Sequence, residues 1–97
     1  MIKYLENESD FKEIVKEGIY LVDFYADWCG PCKMLATELE KLEDVNVLKI
    51  NTDTFTDLAL SFGVMSIPAI FLLKDGEVIK NSIGYKNLDE LKEFIKI

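Results

Sequence analysis

The stretch Trp28-Cys29-Gly30-Pro31-Cys32 holds both cysteines of this chain, three positions apart. It follows the nearly continuous apolar run from Ile19 to Tyr25, which has the pattern of a central strand buried on both faces. A cysteine pair at this spacing can close a small disulfide ring and open it again, which makes it a candidate two-electron switch. The stretch therefore predicts redox chemistry at the point where a buried strand ends.

Other uses of the cysteine pair are weaker. A disulfide at this spacing closes too small a loop to stabilise the fold much through chain entropy. Zinc takes four ligands and the chain has two cysteines and no histidine, so only a four-cysteine zinc site shared across a dimer stays open. A cysteine protease would lack its histidine base.

The residues around the pair favour a helix that starts just after Cys29. Pro31 is tolerated in a first helical turn, because its missing N–H would have no partner there in any case. Cys29 would then lie at the positive end of the helix dipole, where free N–H groups stabilise a thiolate. We expect Cys29 to attack a disulfide and the more buried Cys32 to resolve the mixed disulfide.

Length, composition and charge exclude several classes of protein. Ninety-seven residues predict one domain, residues 1–97, with an ordinary globular composition of 49% hydrophobic and 30% charged residues. The net charge is -7 and no basic run is present, so we expect binding to neither nucleic acid nor membranes. No signal peptide is recognisable at the amino terminus. We therefore expect a cytoplasmic protein, in a compartment where thiols stay reduced.

The remaining segments alternate between strand and helix patterns. We predict strands at 2–5, 19–25, 45–51, 69–74 and 77–83, and helices at about 31–42, 57–62 and from Asn87 onward. A first helix is expected to begin at an N-cap on Ser9 and to end at Gly18. Asp75-Gly76 predicts a hairpin, and Asn87 with Glu90 predicts a capping box. The order predicts an α/β fold with a mixed sheet covered by helices on both faces.

Three separated motifs resemble the thioredoxin family, and the resemblance covers essentially the whole chain. They are the run from Asp23 to Lys33 that contains W-C-G-P-C, then Ser66-Ile67-Pro68, and then Ile83-Gly84. The resemblance implies the thioredoxin fold, with a five-stranded mixed sheet in the order 1-3-2-4-5 flanked by four helices. It also implies a cis peptide bond before Pro68 and a groove for client proteins. The groove residues would be Trp28, Gly30, Pro31, Ile67, Pro68, Ile83 and Gly84.

Asp23 and Lys49 are charged residues inside apolar strand patterns. From the sequence alone, Asp23 is open to interpretation as a solvent-facing or capping residue, and Lys49 as an ordinary edge lysine. The resemblance instead implies that Asp23 is a buried carboxylate behind the cysteines, with Lys49 as its partner. Burial raises the pKa of a carboxyl, so Asp23 can take the proton that Cys32 must lose before it attacks.

The sequence departs from the family pattern at three positions. Thr37 stands where the family usually has a proline that kinks the active-site helix, so we expect a straighter helix here. Ala69 follows Pro68 where threonine is commoner, and Tyr25 stands where many members have a second tryptophan. None of these residues is one of the thiols, but all three are expected to influence which partners are preferred.

The resemblance implies a protein-disulfide reductase, a monomeric dithiol electron carrier that needs no bound cofactor. Its partners would be client proteins with disulfides and a thioredoxin reductase of unspecified type. Two alternatives stay open at this point. One is a thioredoxin-like protein dedicated to a single client, and the other is a redox-silent interaction module.

Overall fold

The computed structural model describes all residues from Met1 to Ile97. Strands and helices alternate up to a final hairpin and helix, and a 3-10 turn at Glu8–Asp10 precedes the first helix. The elements are β1 (Ile2–Tyr4), α1 (Phe11–Ile14), β2 (Ile19–Tyr25), α2 (Gly30–Lys41), β3 (Asn46–Asn51), α3 (Thr56–Ser61), β4 (Ala69–Lys74), β5 (Glu77–Ile83) and α4 (Leu88–Phe94).

The five strands form one mixed sheet in the order β1-β3-β2-β4-β5. Strand β3 runs parallel to both β1 and β2, whereas β4 runs antiparallel to its neighbours β2 and β5. The predicted strand order and the four helices are therefore confirmed. In the register of the two central parallel strands, Asp23 lies directly opposite Lys49.

Helices cover both faces of the sheet and bury two separate cores. On one face, Val22 and Phe24 of β2 pack in a cluster with Phe11 of α1 and with Leu58 of α3. On the other face, the side chains that alternate with these pack against α2 and α4. Members of this second cluster are Leu21, Leu35, Leu39, Leu42, Val45, Val47, Ile70, Leu72 and Leu91.

The prediction for the first helix was wrong at both ends. Ser9 lies inside the 3-10 turn and caps nothing, and the α-helix that follows has only four residues. The helix ends at Ile14, four positions before Gly18. Gly18 instead adopts a positive φ of 86° and donates its N–H to Asp75 Oδ1 at 2.8 Å. Its role is to bring the chain into β2 beside the distant hairpin.

Two local signals in the carboxyl-terminal part were confirmed. Asp75 and Gly76 both have positive φ values, 50° and 84°, and connect β4 to β5 as predicted. Asn87 accepts a hydrogen bond from the Glu90 N–H, while the Glu90 carboxylate accepts one from the Asn87 N–H. This capping box starts α4. None of the helices combines the length and the apolar character that crossing a bilayer requires.

Candidate active site

The two cysteines lie at the amino-terminal end of α2 and form a disulfide with a Cα–Cα distance of 5.2 Å. Cys29 is the N-cap residue, with an extended backbone, and its Sγ accepts a hydrogen bond from the Cys32 N–H at 3.2 Å. Pro31 occupies the first turn of α2, as its fixed φ favours. A sulfur that accepts this hydrogen bond is also stabilised as a thiolate once the disulfide is reduced.

Both cysteines are buried, in a small cluster of their own. Cys29 is 5% exposed and Cys32 is 2% exposed, and Ala26 completes the buried part of the cluster. Ile67 packs against it, and the Ile67 carbonyl oxygen lies 3.9 Å from Cys29 Sγ. The peptide bond between Ile67 and Pro68 is cis, as expected. The segment around Pro68 therefore lies directly beside the disulfide.

Of the residues expected to form the client groove, two present large apolar side chains to solvent, whereas Pro68 is buried. Trp28 is 71% exposed and Ile83 is 66% exposed, which is unusual for side chains of this size. The Gly84 N–H donates to the Pro68 carbonyl at 2.8 Å, so the end of β5 is tied to the cis-proline segment. Gly84 has a φ of 99°, a conformation that favours glycine over any residue with a side chain. We call the seven groove residues predicted from the sequence the client groove.

A hydrogen bond that was not predictable from the sequence orients Trp28. Its indole Nε1 donates to Asp53 Oδ2 at 2.9 Å. Asp53 follows β3, and its own N–H is held by the Asn51 side chain at 2.8 Å. An Asx turn at Asn51 was detectable from residue type, but its proximity to Trp28 depends on the pairing of β2 with β3.

Asp23 is fully buried on the sheet face that carries α2. Alternation along β2 places Asp23 on the same face as Leu21, whose neighbours include Leu35 and Leu39 of α2. Neither carboxylate oxygen has a hydrogen-bond partner. The interpretation as a solvent-facing or capping residue is therefore excluded, and Asp23 lies under the helix that begins at the cysteines.

Burial raises the pKa of Asp23 from 3.8 to about 7, because an apolar environment disfavours the charged carboxylate. The nearby Lys49 ammonium acts in the opposite direction and lowers the pKa, but to a smaller extent. Its Nζ is 3.9 Å from Asp23 Oδ2, too far for a hydrogen bond. Asp23 can therefore gain or lose a proton close to neutral pH.

Lys49 is 5% exposed and lies in an interior strand, so it is not an edge lysine. Its ammonium is 4.7 Å from the centroid of the Tyr25 ring and 5.4 Å from that of Tyr4. The two rings contact each other edge to face, with centroids 6.1 Å apart. From the sequence alone, Tyr25 was only a departure from the family pattern, and Tyr4 had no predicted role.

A cleft of about 170 Å³ lies beside these residues. We call it the side cleft, and its lining comprises Tyr4, Tyr25, Ala26, Asp27, Cys32, Lys33, Ala36 and Lys49. Cys32 and Lys49 therefore border the same space. No residue of the client groove belongs to this lining, so the side cleft is distinct from the client groove.

Helix α2 runs without interruption from Gly30 to Lys41, through the position where a proline was expected from the family. Thr37 Oγ1 donates to the Lys33 carbonyl at 3.4 Å, one turn earlier. This bond satisfies the hydroxyl within the helix and leaves the backbone ladder intact. Nowhere in the chain do three or more side chains of the His, Cys, Asp or Glu type come together as a metal site.

Comparison with protein families matches residues 2–97 to the family model described as Thioredoxin. Curated relatives at similar length carry the same name. Thioredoxin of Bacillus subtilis (strain 168) is 42% identical over 93 residues, covering 91% of this chain and 89% of that protein. Thioredoxin of Listeria monocytogenes is 40% identical over 100 residues, covering 98% of this chain and 96% of that protein.

Solved structures give the same result. A mutant thioredoxin from Halobacterium salinarum superimposes with a TM-score of 0.89 at 35% identity, covering 97% of this chain and 87% of that one. Mitochondrial thioredoxin 3 from Saccharomyces cerevisiae, in its oxidized form, superimposes with a TM-score of 0.86 at 37% identity. The match covers 97% of this chain and 92% of the yeast chain.

Proposed function

Because this chain belongs to the thioredoxin family and is a thiol–disulfide oxidoreductase, we propose that Cys29 is its attacking thiol and Cys32 its resolving thiol. The observation that carries this assignment is the position of Cys29 at the N-cap of α2, where its sulfur accepts the Cys32 N–H at 3.2 Å. The same backbone donor stabilises negative charge on Cys29 in the reduced protein. Cys32 lies inside the first turn of α2, so its sulfur is not at the N-cap.

In the first step, the Cys29 thiolate attacks one sulfur of a client disulfide. A bond forms between Cys29 Sγ and that sulfur, the client S–S bond breaks, and the second client sulfur leaves as a thiolate. In the second step, the Cys32 thiolate attacks Cys29 Sγ and releases the first client sulfur. The client gains two electrons, and the protein loses two as its own disulfide forms.

Asp23 is proposed as the base that receives the Cys32 proton before the second step. A carboxyl with a pKa of about 7 can accept a proton at neutral pH, when a fraction of it is ionised. Asp23 is buried on the α2 face and neither of its carboxylate oxygens has a hydrogen-bond partner, so both are free to accept a proton. Lys49 keeps part of the Asp23 population charged by its opposing electrostatic effect.

The client groove is proposed as the docking site for an extended client segment. Exposed Trp28 and Ile83 would contact its side chains, and the Ile67 backbone beside Cys29 would pair with its main chain. The glycines Gly30 and Gly84 have open space where a Cβ would stand, so they keep the approach to the sulfur unobstructed. Pro31 and Pro68 are proposed to hold the two sides of the groove in place.

The partners proposed from this chemistry are disulfide-bearing client proteins and a thioredoxin reductase that returns two electrons to Cys29–Cys32. We propose a cytoplasmic location, where thiols are kept reduced. Residues 1–97 are proposed to act as one domain and as a monomer. In support, one core cluster draws on residues from Leu21 to Leu91, and the chain covers both sheet faces with its own helices.

Trapping of the mixed disulfide tests the assignment of the two thiols. Reduced Cys32→Ser, mixed with a disulfide-bonded client protein, should accumulate a covalent adduct that dithiothreitol releases. The matched variant Cys29→Ser should form at least ten-fold less adduct, because its remaining thiol, Cys32, lies inside α2 and lacks the N-cap position that stabilises a thiolate. Equal trapping by the two variants, or faster trapping by Cys29→Ser, would contradict the assignment.

A further inference from the structure

Lys49 separates the buried Asp23 carboxylate from solvent. Lys49 lines the side cleft, whereas Asp23 does not line it and is fully buried. The ammonium and the carboxylate are 3.9 Å apart, without a hydrogen bond to fix their geometry. The lysine side chain is long and flexible, so attraction to Asp23 alone does not fix the position of its ammonium.

Two aromatic rings supply that restraint. The Lys49 ammonium lies within 6 Å of the centroids of both Tyr25 and Tyr4, the range in which a ring quadrupole attracts a cation. Parallel pairing of β1 with β3 places Tyr4 directly opposite Lys49, on the neighbouring strand. The edge-to-face contact between the rings fixes their mutual orientation.

We propose that Tyr4 and Tyr25 are positioning residues, whose rings hold the Lys49 ammonium between Asp23 and the side cleft and so maintain the attraction between ammonium and carboxylate. The proposal rests on the role of Asp23 as the base for Cys32. Tyr4 is 54% exposed and belongs to a three-residue edge strand, so its large ring is not required by the core. Its contact with the Lys49 ammonium is the role that we assign to the Tyr4 ring.

The side cleft brings other charged groups near this assembly. Asp27 and Lys33, which carry opposite charges, both line the side cleft, and Cys32 lines it from α2. Strand β4 contributes only the apolar Ile70 opposite Asp23. Lys49 is the cation beside Asp23 that contacts the two tyrosine rings. Displacement of its ammonium would change the Asp23 pKa, which a titration measures.

The experiment is a carbon-13 NMR titration of the Asp23 carboxyl in the oxidised protein, with Asp23→Asn identifying the resonance. Lys49→Met should raise the Asp23 pKa, because the attraction that lowers it is lost. Tyr4→Ile keeps a strand-forming apolar side chain but removes the ring, and should raise the pKa by about half a unit. Tyr4→Phe keeps the ring and should leave the pKa unchanged.

An unchanged or lowered Asp23 pKa in Tyr4→Ile would overturn the proposal, as would equal shifts in Tyr4→Ile and Tyr4→Phe. If Tyr4→Ile does not fold, Tyr25→Leu removes the other ring and must give the same upward shift. The titration needs no client protein, so it is independent of whether Asp23 acts in catalysis. Failure of the catalytic role appears separately, as an Asp23→Asn protein that resolves mixed disulfides at the wild-type rate.

Discussion

At the scale of single residues, burial of Asp23 raises its pKa so far that its charge depends on pH near neutrality. A carboxyl in this state links two properties, the rate of one chemical step and the stability of the fold. The two can be measured separately. Both concern the same side chain, and the first belongs to the proposed mechanism while the second follows from burial alone.

Replacing Asp23 by Asn should slow the release of client more than the initial attack. The amide cannot accept the Cys32 proton, so the second step should slow by about ten-fold or more at pH 7, while formation of the mixed disulfide stays within two-fold. Stopped-flow kinetics with a disulfide-bonded peptide resolves the two steps. Equal slowing of both would contradict the role of Asp23 as a base for Cys32.

The same substitution should change how stability depends on pH. Asp23 has a pKa of about 7 in the folded protein and 3.8 as its ordinary value. Below its ordinary pKa of 3.8 the carboxyl is mostly protonated in both the folded and the unfolded state, so the folded protein does not bury a charge. Between pH 4 and 7 the unfolded chain loses the proton first, and the free energy of unfolding falls until the folded state has titrated too.

Asp23→Asn removes this titration. Its free energy of unfolding relative to the wild type should therefore rise by up to about 4 kcal/mol between pH 4 and pH 8. Urea unfolding of the oxidised proteins at a series of pH values measures the difference. The control Glu77→Gln changes an exposed carboxylate and should show no such rise. A pH-independent difference for Asp23→Asn would contradict a raised pKa.

At the scale of secondary structure, the capping box of α4 should contribute to the stability of the fold and leave the redox chemistry of the cysteines nearly unchanged. Asn87→Ala removes the side-chain acceptor of the Glu90 N–H and should lower the free energy of unfolding by about 1 kcal/mol. The exposed Asn81 on β5 is the matched control, and Asn81→Ala should stay within about 0.5 kcal/mol. Chemical denaturation distinguishes the two.

Elements with strong local signals were predictable from the sequence. Strands β2, β4 and β5 have the predicted bounds, because Gly18 precedes β2, the Asp75-Gly76 turn separates β4 from β5, and Gly84 follows β5. The helix predicted from Ser9 failed because its apolar spacing is compatible with a 3-10 turn and one helical turn, with burial of Phe11 and Val15 either way. Propensity alone does not separate these outcomes.

The geometry around the cysteines was only partly predictable. The pair and its helix follow from five adjacent residues, and the placement of Asp23 came from the family pattern. The rings around Lys49 required strand register, because Tyr4 and Lys49 are distant in sequence and meet only through the pairing of β1 with β3. The same holds for Trp28 and Asp53.

At the scale of the whole molecule, the net charge of -7 predicts a preference among clients. A negative field speeds the encounter with basic clients and slows the encounter with acidic ones, and salt screens both effects. Raising the ionic strength from 0.02 to 0.2 M should therefore lower kcat/KM for a basic disulfide peptide by about three-fold. An acidic peptide of the same length should show the opposite trend.

Salt effects of the same sign for the two peptides would show that the field of the molecule does not select clients. The peptides should share the sequence next to the disulfide, so that contacts with the client groove are the same. Any remaining difference in rate then reports charge at a distance from the cysteines.

The central claim, that this protein donates electrons to client disulfides, is tested most directly by the equilibrium reduction potential of the Cys29–Cys32 pair. Alkylation of free thiols across dithiothreitol buffers, read as a mass shift, measures it. The account predicts a potential below about -240 mV, within or beneath the cytosolic glutathione range, so that the reduced protein is a donor. A potential above about -200 mV would contradict it and indicate a protein that forms disulfides in its clients.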